Sequence, residues 1–458
     1  MAAAATPSVA VPPGPAGVPI LGVMNEFRRD PLELLTRCAR EYGGMSRLNF
    51  MGWPCYLLAA PEHVDQVLGH RYREFKKTSN LQTPLLRGLF GQGLVTAEGD
   101  FWARQRQLVQ PAFHRERIQA YAETMVEYTT RHTAAWRDGD TRDFLDEMMT
   151  LTLAIAARTL FHADVSRDAP ELGRVLERMM HEFTRSWSLW GIVDYYLPLF
   201  SERRYRGLVR KLDEAVYGVI RMRRESGEDT GDLLSLLLSL RDDTGAGMTD
   251  RQLRDETLTF LFAGHETTAL TLAWTIYLLS EHPEVEERLR GEVESVLGGR
   301  APDASDVGRL EYTGWVVRES MRVYPAVWAV GREPQAALEL AGYRLPARST
   351  LMMSPWVTHR HPAYWEEPET FRPERWADDL ESRLPRGLYF PFGSGPRACI
   401  GRGFAMMELV LVLATLYQRY RFTRATGGPI VPWVTMTLRP RGGVPVRVEA
   451  VRRGGGAV

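Results

Sequence analysis

The feature that most constrains this chain is a loop with one cysteine, FPFGSGPRACIG, at residues 390–401. Glycine and proline punctuate the loop, and an apolar stretch at 403–420 that we predict to be a helix follows it. The N-terminus of a helix favours a thiolate, because its backbone N–H groups carry partial positive charge. Cys399 is therefore predicted to be a nucleophile or a metal ligand, rather than the small buried hydrophobe that a lone cysteine usually is.

The residues of this loop leave other functions open. A cysteine hydrolase would need a histidine base oriented toward the sulfur of Cys399, and the sequence does not exclude one. A non-catalytic helical binding protein would need no chemistry at the loop. Both alternatives predict a protein without a visible spectrum, and only the hydrolase predicts an activity that is lost on thiol alkylation.

The rest of the chain predicts a mainly α-helical protein with small β-sheets. Its 458 residues are 44% apolar, which is enough for a large core. Apolar residues recur at helical spacing over about 30–290. In contrast, MSRLNFMGWPCYLLAA predicts a hairpin, and ALELAGYRLPARSTLMMSPWVTHR and WVTMTLRPRGGVPVRVEA predict further strands. We expect a flexible Pro-rich leader at 1–20, one large domain at 21–450 and a disordered tail at 451–458.

Charge and cysteine content narrow the class of protein. The 57 basic and 57 acidic residues balance, which gives no indication of a nucleic-acid partner. Three cysteines, an odd number in a long chain, favour a reducing compartment, so we expect a cytoplasmic protein. The apolar stretch 258–279 could be mistaken for a membrane span, but His265 and Glu266 would be costly in hydrocarbon. We predict a buried core helix there and no membrane anchor.

The fixed positions of the cysteine loop resemble the haem-binding signature of the cytochrome P450 family, Phe-x-x-Gly-x-Arg-x-Cys-x-Gly. Phe392, Gly395, Arg397, Cys399 and Gly401 occupy those positions. The resemblance implies the cytochrome P450 fold and a haem b cofactor, with Cys399 as the axial thiolate on its iron. It also implies that Arg397 binds a haem propionate, that Phe392 packs on the sulfur side of the ring, and that Gly401 lets the chain approach the cofactor.

The sequence AGHETT carries a second pattern. On a helix, the small residues Ala263 and Gly264 would let a flat cofactor or an oxygen molecule come close, and Glu266 beside Thr267 offers a carboxylate and a hydroxyl for relaying protons. By themselves these threonines could equally bond back to helix carbonyls. The segment resembles the oxygen-activation motif of the family, small-Gly-x-acid-Thr. The resemblance assigns Thr267 to oxygen activation and Glu266 to proton delivery.

Three charged residues form a third pattern, which we interpret as structural. Glu319 and Arg322 in RESMRVYP lie at i and i+3 on a predicted helix, where they can pair. An exposed surface pair, worth roughly a few tenths of a kcal/mol, is the alternative. FRPERW then supplies Arg375, which the resemblance makes the third member of a buried Glu–Arg–Arg network. Such a network would hold the cysteine loop in place.

Further basic residues are implied to reach the haem propionates. Trp102 and Arg106 lie at i and i+4 in GDFWARQRQLVQPAF and can share one helix face. Arg332 in VGREP stands where the family often has a propionate-binding residue. Simple amphipathic packing is the alternative for Trp102 and Arg106.

The implied reaction is monooxygenation of a hydrophobic substrate with O2. Too few residues follow Cys399 to form a flavin domain, so we expect electrons from a ferredoxin or flavodoxin with its reductase. A haem-thiolate peroxygenase using hydrogen peroxide is the alternative, but relatives specialised for that reaction typically lose the acid–threonine pair that Glu266 and Thr267 form here.

The substrate pocket is outlined only by analogy with the family. The corresponding stretches are apolar and aromatic, without an obvious charge to hold a carboxylate, which favours a terpenoid, steroid-like or fatty-acyl substrate. The predicted pocket residues are Leu86, Phe90, Trp187, Val327, Trp328, Val434 and Met436.

Overall fold

Helices form most of the structure. The computed structural model describes residues 11–163, 201–241, 245 and 247–451. The α-helices in these ranges are Met24–Arg29, Pro31–Tyr42, Pro61–Asp65, Pro84–Phe90, Gly99–Val109, Arg115–Ala120, Ala122–Thr133, Phe144–Phe161, Ser201–Ser226, Leu233–Ser239, Asp250–Glu281, Pro283–Leu297, Glu311–Val323, Pro355–Thr358, Leu380–Arg383 and Arg402–Tyr417. One π-helical turn is Gln66–His70, and the 3-10 turns are Tyr72–Glu74, Ser79–Gln82, Gln110–Phe113, Ala304–Asp306, Pro373–Asp379 and Gly395–Arg397.

The strands are short and build small sheets. In chain order they are β1 (Met45–Phe50), β2 (Trp53–Leu58), β3 (Phe75–Lys77), β4 (Thr141–Asp143), β5 (Val330–Pro334), β6 (Leu338–Leu340), β7 (Tyr343–Leu345), β8 (Thr350–Met353), β9 (Tyr420–Arg424), β10 (Pro432–Val434), β11 (Leu438–Pro440) and β12 (Pro445–Ala450). Their sheet orders are β1-β2-β8-β5-β3, β4-β12-β9, β10-β11 and β6-β7. The predicted class, mainly α with small sheets, is confirmed.

The chain forms two compact units, and the first holds the five-stranded sheet. This unit comprises the described residues up to Gln82, together with Val327–Thr370 and Glu381–Cys399. The predicted hairpin is present: β1 and β2 pair antiparallel, and Met51 and Gly52 turn the chain with φ of 52° and 88°. Apolar side chains from the sheet and from the helical turns beside it form one core, which consists of Met45, Tyr56, Leu58, Val64, Val67, Leu68, Phe75, Leu340, Leu345, Leu351, Met353 and Phe390.

The described part of the predicted leader lies alongside β1. The backbone N–H of Arg47 donates to the carbonyl of Pro13 at 2.8 Å, and that of Val23 donates to the carbonyl of Asn49 at 2.9 Å. A Cβ on Gly14 would lie 2.0 Å from the carbonyl oxygen of Arg47, so the backbone approaches β1 more closely than a larger residue allows. Residues 11–23 thus belong to the first unit and hydrogen-bond to β1, and the predicted domain boundaries stay a prediction.

The second unit is built around the helix Asp250–Glu281, hereafter the long helix. This unit comprises the described parts of Thr83–Ala326, Phe371–Leu380 and the chain from Ile400 onward. Thr249 caps the long helix in a capping box with Gln252, and most of its residues from Leu253 onward are buried. The stretch 258–279 is therefore a buried core helix, as predicted. The helices in the described ranges include none that is both long and apolar enough to cross a membrane.

The C-terminal strands belong to the same unit. Strand β12 pairs antiparallel with β4 and β9, while β10 and β11 form a separate hairpin, hereafter the C-terminal hairpin. The helix after the cysteine loop ends at Tyr417, three residues earlier than the sequence predicts. The reason is that Tyr420 already pairs with Ala450 as the first residue of β9, and its hydroxyl donates to the carbonyl of Thr133 at 3.0 Å.

Candidate active site

The cysteine loop is closed by its own backbone. Cys399 donates its N–H to the carbonyl of Phe392 at 2.8 Å, and Gly393 donates to Phe390 at 2.9 Å. The N–H of Phe390 in turn donates to Nε2 of His359 at 3.0 Å. The position of Cys399 is thus set by short hydrogen bonds within the first unit, as a positioned ligand requires.

Gly395, a fixed position of the family signature, explains how the loop is seated. Its φ is +69°, and a Cβ there would lie 2.0 Å from the carbonyl oxygen of Leu68 in the π-helical turn Gln66–His70. Any side chain would therefore collide with backbone, and glycine alone fits both the conformation and the space. Gly395 is therefore needed for the cysteine loop to pack onto the π-helical turn of its own unit.

The three cysteines differ in exposure. Cys38 and Cys55 are buried, and burial raises the pKa of their thiols to about 11 and about 12. These two thiols remain protonated at neutral pH, because the charged form would be desolvated. Cys399 is exposed in its glycine-bounded loop. Of the three, Cys399 has the position and the exposure that a thiolate ligand needs, and a soft thiolate donor suits haem iron.

A patch in the middle of the long helix is open, although most of the helix from Leu253 to Leu279 is buried. Ala263 is exposed and Gly264 and Thr267 are half-buried, whereas Phe262, His265 and most other residues around them are buried. Positions 263, 264 and 267 share one helix face. The Oγ1 of Thr267 donates to the carbonyl of Ala263 at 2.7 Å. Small side chains on an open face give a flat cofactor room to approach, so this face fits the role that the sequence predicts for it.

The side chain of Glu266 and that of its neighbour Thr267 bond to different groups. Its Oε1 accepts a hydrogen bond from Oγ1 of Thr437 at 2.7 Å and lies 3.3 Å from Nε of Arg439. All three side chains are at least nine-tenths buried. Thr437 lies in the turn of the C-terminal hairpin, and Arg439 lies on β11. Thr435 braces the same turn, since its Oγ1 donates to the carbonyl of Thr437 at 2.9 Å. Thr437 and Arg439 are not predicted from the sequence, because no local pattern links them to Glu266, from which Thr437 is 171 positions away.

His265 is a neutral, packed side chain. Neither of its ring nitrogens has a hydrogen-bond partner among the described residues. Burial, with a contribution from Arg439, lowers the pKa of its imidazole to about 3. A charged imidazole would be desolvated at this position, so His265 stays unprotonated at neutral pH.

The predicted Glu–Arg–Arg network is assembled within the second unit. Oε1 and Oε2 of Glu319 accept from Nη2 and Nε of Arg322 at 2.8 and 2.9 Å, and Oε1 also accepts from Nε of Arg375 at 3.1 Å. The indole of Trp376 donates to Oε2 at 2.9 Å, and the backbone N–H of Arg372 donates to Oε1 at 3.0 Å. The surface pair that was the alternative is excluded, because Glu319 and Arg322 are fully buried.

Burial shifts the pKa of one member of this network. Desolvation lowers the pKa of Arg375, and the negative charge of Glu319 acts in the opposite direction. A guanidinium in this place is tolerated because a carboxylate faces it at hydrogen-bond distance.

The predicted propionate-binding residues lie on separate elements. Trp102 is buried on the helix Gly99–Val109, and Arg106 is half-buried one turn later on that helix. Arg332 is half-buried on β5, where its Nη1 donates to the carbonyl of Gly331 at 2.8 Å. Arg397 is half-buried in the cysteine loop. Their roles toward a cofactor stay predictions.

The predicted pocket residues fall on both units, and Trp187 lies outside the described residues. Leu86 and Phe90 are buried in the second unit, where the ring of Phe90 meets that of Phe262 at 5.3 Å. Val434 and Met436 are half-buried on the C-terminal hairpin and its turn. In the first unit Val327 is half-buried, and Trp328 is buried with its ring 6.4 Å from that of Phe27.

Comparison with known proteins gives a family match and close relatives. The Cytochrome P450 family model matches residues 12–441, which run through both units. The chain is 37% identical to cyclooctat-9-en-7-ol 5-monooxygenase of Streptomyces melanosporofaciens over 90% of both chains. It is 36% identical to cyclooctatin synthase of the same organism, over 93% of this chain and 92% of the relative. Pentalenene oxygenase of Streptomyces avermitilis is 32% identical, over 93% of this chain and 94% of the relative.

Proposed function

This chain belongs to the cytochrome P450 family and is one of its monooxygenases, and we propose that it hydroxylates a terpenoid. The observation that carries the substrate class is the similarity, over at least nine tenths of both chains, to oxygenases named for cyclooctat-9-en-7-ol and for pentalenene. The apolar side chains of Leu86, Phe90 and Met436 suit a hydrophobic substrate. A steroid-like or fatty-acyl substrate is the alternative that the test below separates.

The donor set fits a haem, which the family implies and which we take to be haem b. Cys399 would supply the thiolate, while Arg397, Arg332 and Arg106 would donate charge-assisted hydrogen bonds to the propionates. When bound, the haem supplies the redox and oxygen chemistry of the reaction. The polypeptide supplies the thiolate, the proton path and the shape of the pocket.

Proton delivery falls to Glu266 and Thr267. Thr267 offers its Oγ1 hydroxyl on the open face of the long helix, and Glu266 holds a proton-accepting carboxylate one residue earlier. In the structure Oε1 of Glu266 is bonded to Oγ1 of Thr437, and Thr267 is bonded to the carbonyl of Ala263. A proton can pass from one group to the other only after these hydrogen bonds exchange, with a water molecule bridging them or with a rotated carboxylate.

The electrons come from a ferredoxin or flavodoxin with its reductase. Arg402 is exposed at the start of the helix Arg402–Tyr417, where a positive charge would attract an acidic partner. We infer a cytoplasmic protein, which is the location that the three cysteines favour. Turnover supported by peroxide alone, at the rate seen with the protein partner, would instead favour a peroxygenase.

The test is an absorbance titration of the haem-loaded enzyme with cyclooctat-9-en-7-ol, pentalenene, a steroid and palmitate. We expect at least one terpenoid to bind about tenfold or more tightly than palmitate, a difference of about 1.4 kcal/mol. Turnover with ferredoxin, its reductase and NADPH should then add one oxygen atom to the bound terpenoid. Tighter binding of palmitate or of the steroid would contradict the substrate class. The Cys399→Ser variant is the control for ligation, and it should lose the carbon-monoxide difference band of a thiolate-bound haem.

A further inference from the structure

Three consecutive charged residues near the start of the long helix are buried. Arg254, Asp255 and Glu256, hereafter the charged triplet, are each at most 5% exposed. Burying three charges is unfavourable unless each finds partners, so their partners show what the triplet does. Those partners are mainly backbone groups of one stretch, GLFGQGL at 88–94, hereafter the glycine loop. Its first three residues are the last of the helix Pro84–Phe90, and the rest follow that helix.

The charged triplet binds the glycine loop from one end to the other. Arg254 donates through Nη2 to the carbonyl of Gly88 and through Nη1 to that of Leu89, both at 2.9 Å. The N–H of Gln92 donates to Oδ2 of Asp255 at 2.9 Å, and the N–H of Leu94 donates to Oε2 of Glu256 at 3.1 Å. One turn of the helix therefore satisfies two backbone acceptors at the start of the loop and two backbone donors toward its end.

Two glycines show independently that the loop rests directly on the helix. A Cβ on Gly91 would lie 2.1 Å from the carboxylate of Asp255, and φ at this glycine is +52°. A Cβ on Gly93 would lie 2.1 Å from Oγ1 of Thr259 and 2.6 Å from the carbonyl oxygen of Asp255. By contrast, a Cβ on Gly88 would have no heavy atom within 4 Å. Close approach is thus a property of the middle of the loop and not of every glycine in it.

The glycine loop carries a predicted pocket residue. Phe90 is 1% exposed, and its ring packs against Phe262 at 5.3 Å and 64°. Phe262 directly precedes Ala263 on the open face of the long helix. The charged triplet lies about two turns earlier on the same helix. It therefore holds the glycine loop in a fixed position relative to the open face.

The same triplet also holds a third element of the second unit. Nε of Arg254 donates to Oδ1 of Asp213 on the helix Ser201–Ser226 at 2.6 Å, and Nη1 donates to Asp255 at 2.9 Å. Arg254 is therefore bonded to the loop, to a neighbouring helix and to its own helix at once.

We propose that the charged triplet is a specificity-positioning device: it holds the glycine loop, and with it Phe90, in one fixed place, so that the pocket is preformed for a rigid substrate. The proposal rests on the proposed function, because Phe90 lines a pocket only if the chain binds substrate as proposed. A preformed pocket favours a rigid polycyclic molecule over a flexible chain, since neither partner then loses much conformational freedom on binding.

The test compares Gly93→Ala with Gly88→Ala in the haem-loaded enzyme. The added Cβ at position 93 must push the loop off the helix, whereas the one at 88 meets nothing. Hydrogen exchange at the amides of Gln92 and Leu94 reports whether the loop is released, without any turnover. Absorbance titrations with pentalenene and palmitate report the ratio of their dissociation constants.

We expect Gly93→Ala to speed exchange at both amides and to change the palmitate-to-pentalenene ratio about tenfold toward palmitate, while Gly88→Ala keeps both wild-type values. A second pair, Glu256→Gln and Glu256→Leu, tests the triplet itself. The glutamine retains an oxygen for the N–H of Leu94 and should resemble the wild type, and the leucine should resemble Gly93→Ala.

Two results would overturn the proposal. Unchanged exchange in Glu256→Leu would show that the triplet does not hold the loop. Faster exchange with an unchanged ligand ratio would show that the held loop does not set specificity. Neither result depends on which ligand the wild type prefers. A wild type that prefers palmitate would refute the proposed substrate class. The exchange rates and the ratio of dissociation constants could still be compared between the variants.

Discussion

Two buried carboxylates of the second unit, Glu319 and Glu266, have different surroundings. Glu319 is fully buried and accepts from two guanidinium groups, an indole and a backbone N–H, all within 57 positions of it along the chain. Glu266 is 1% exposed, accepts from a hydroxyl and pairs with one guanidinium, and these partners come from the far end of the chain.

These surroundings suit a structural role for Glu319 and the proposed role in proton delivery for Glu266. At Glu319 one negative charge faces two positive ones, so its loss would leave two cations buried without compensation. At Glu266 one charge faces one, and the neighbouring Thr267 stands on the open face of the long helix. We therefore expect a change at Glu319 to cost more stability than a change around Glu266, and changes around Glu266 also to affect proton delivery.

The largest effect is expected for Glu319→Gln. The change is isosteric, but it removes the charge that compensates Arg322 and Arg375, so the free energy of unfolding should fall by about 3–5 kcal/mol. Urea unfolding followed by circular dichroism measures it. The control is Glu287→Gln, whose partner Arg421 is 46% exposed and which should cost under about 1 kcal/mol. Equal losses of unfolding free energy in the two variants would show that the buried network at Glu319 contributes no more than an exposed ion pair.

A pH dependence of stability is expected from His265, which directly precedes Glu266. The pKa of His265 is about 3, below its ordinary value of 6.5, because the imidazole is buried and faces Arg439. Protonation then favours the unfolded chain, so this contribution to stability is present above pH 6.5 and is lost as the pH falls toward 3.

Between pH 7 and pH 4.5, wild type should therefore lose about 2–3 kcal/mol more stability than His265→Gln does. Urea unfolding of both proteins at the two pH values measures the difference. The matched variant Trp376→Phe, which alters the Glu319 network, should retain the wild-type pH dependence. The same loss in His265→Gln as in wild type would place the acid sensitivity elsewhere.

Thr437→Val tests whether the C-terminal hairpin positions the acid. The valine keeps the shape of threonine and removes the hydroxyl that bonds Glu266, which should lower the free energy of unfolding by about 2 kcal/mol. The readout specific to function is coupling, measured as peroxide released per product formed, and it should change in this variant. Thr415→Val is the control, since it removes a buried hydroxyl that donates to the carbonyl of Leu411 in its own helix at 2.7 Å. Equal coupling in wild type and Thr437→Val would exclude a positioning role.

How far the sequence predicts these sites depends on distance along the chain. Glu319 and Arg322 are three residues apart on a helix, so spacing alone indicates that they can pair, and the family signature adds Arg375. The bond between Glu266 and Thr437 joins residues 171 positions apart. No local spacing encodes such a contact, because it depends on how a helix and a distant hairpin pack in the folded core.

The fold shows the same limit. Alternating apolar residues predict the hairpin of β1 and β2, and the apolar run 258–279 predicts a buried helix, since each pattern is local. The charged triplet shows the opposite case. In a sequence, Arg254, Asp255 and Glu256 resemble a solvated helix turn, and only the packing of the glycine loop against them explains why three charges are buried.

The smallest effect on the free energy of unfolding is expected for Trp376→Phe. No sequence pattern marks the indole N–H as important, yet the structure shows it donating to Oε2 of Glu319 at 2.9 Å. Phenylalanine retains the packing and removes one donor of several, and both guanidinium groups remain. The free energy of unfolding should therefore fall by only about 1 kcal/mol, less than for Thr437→Val, which removes a donor from a carboxylate with a single guanidinium beside it. Urea unfolding of the two variants side by side measures this order. A larger loss in Trp376→Phe would mean that the indole, and not the arginine charges, dominates the Glu319 network.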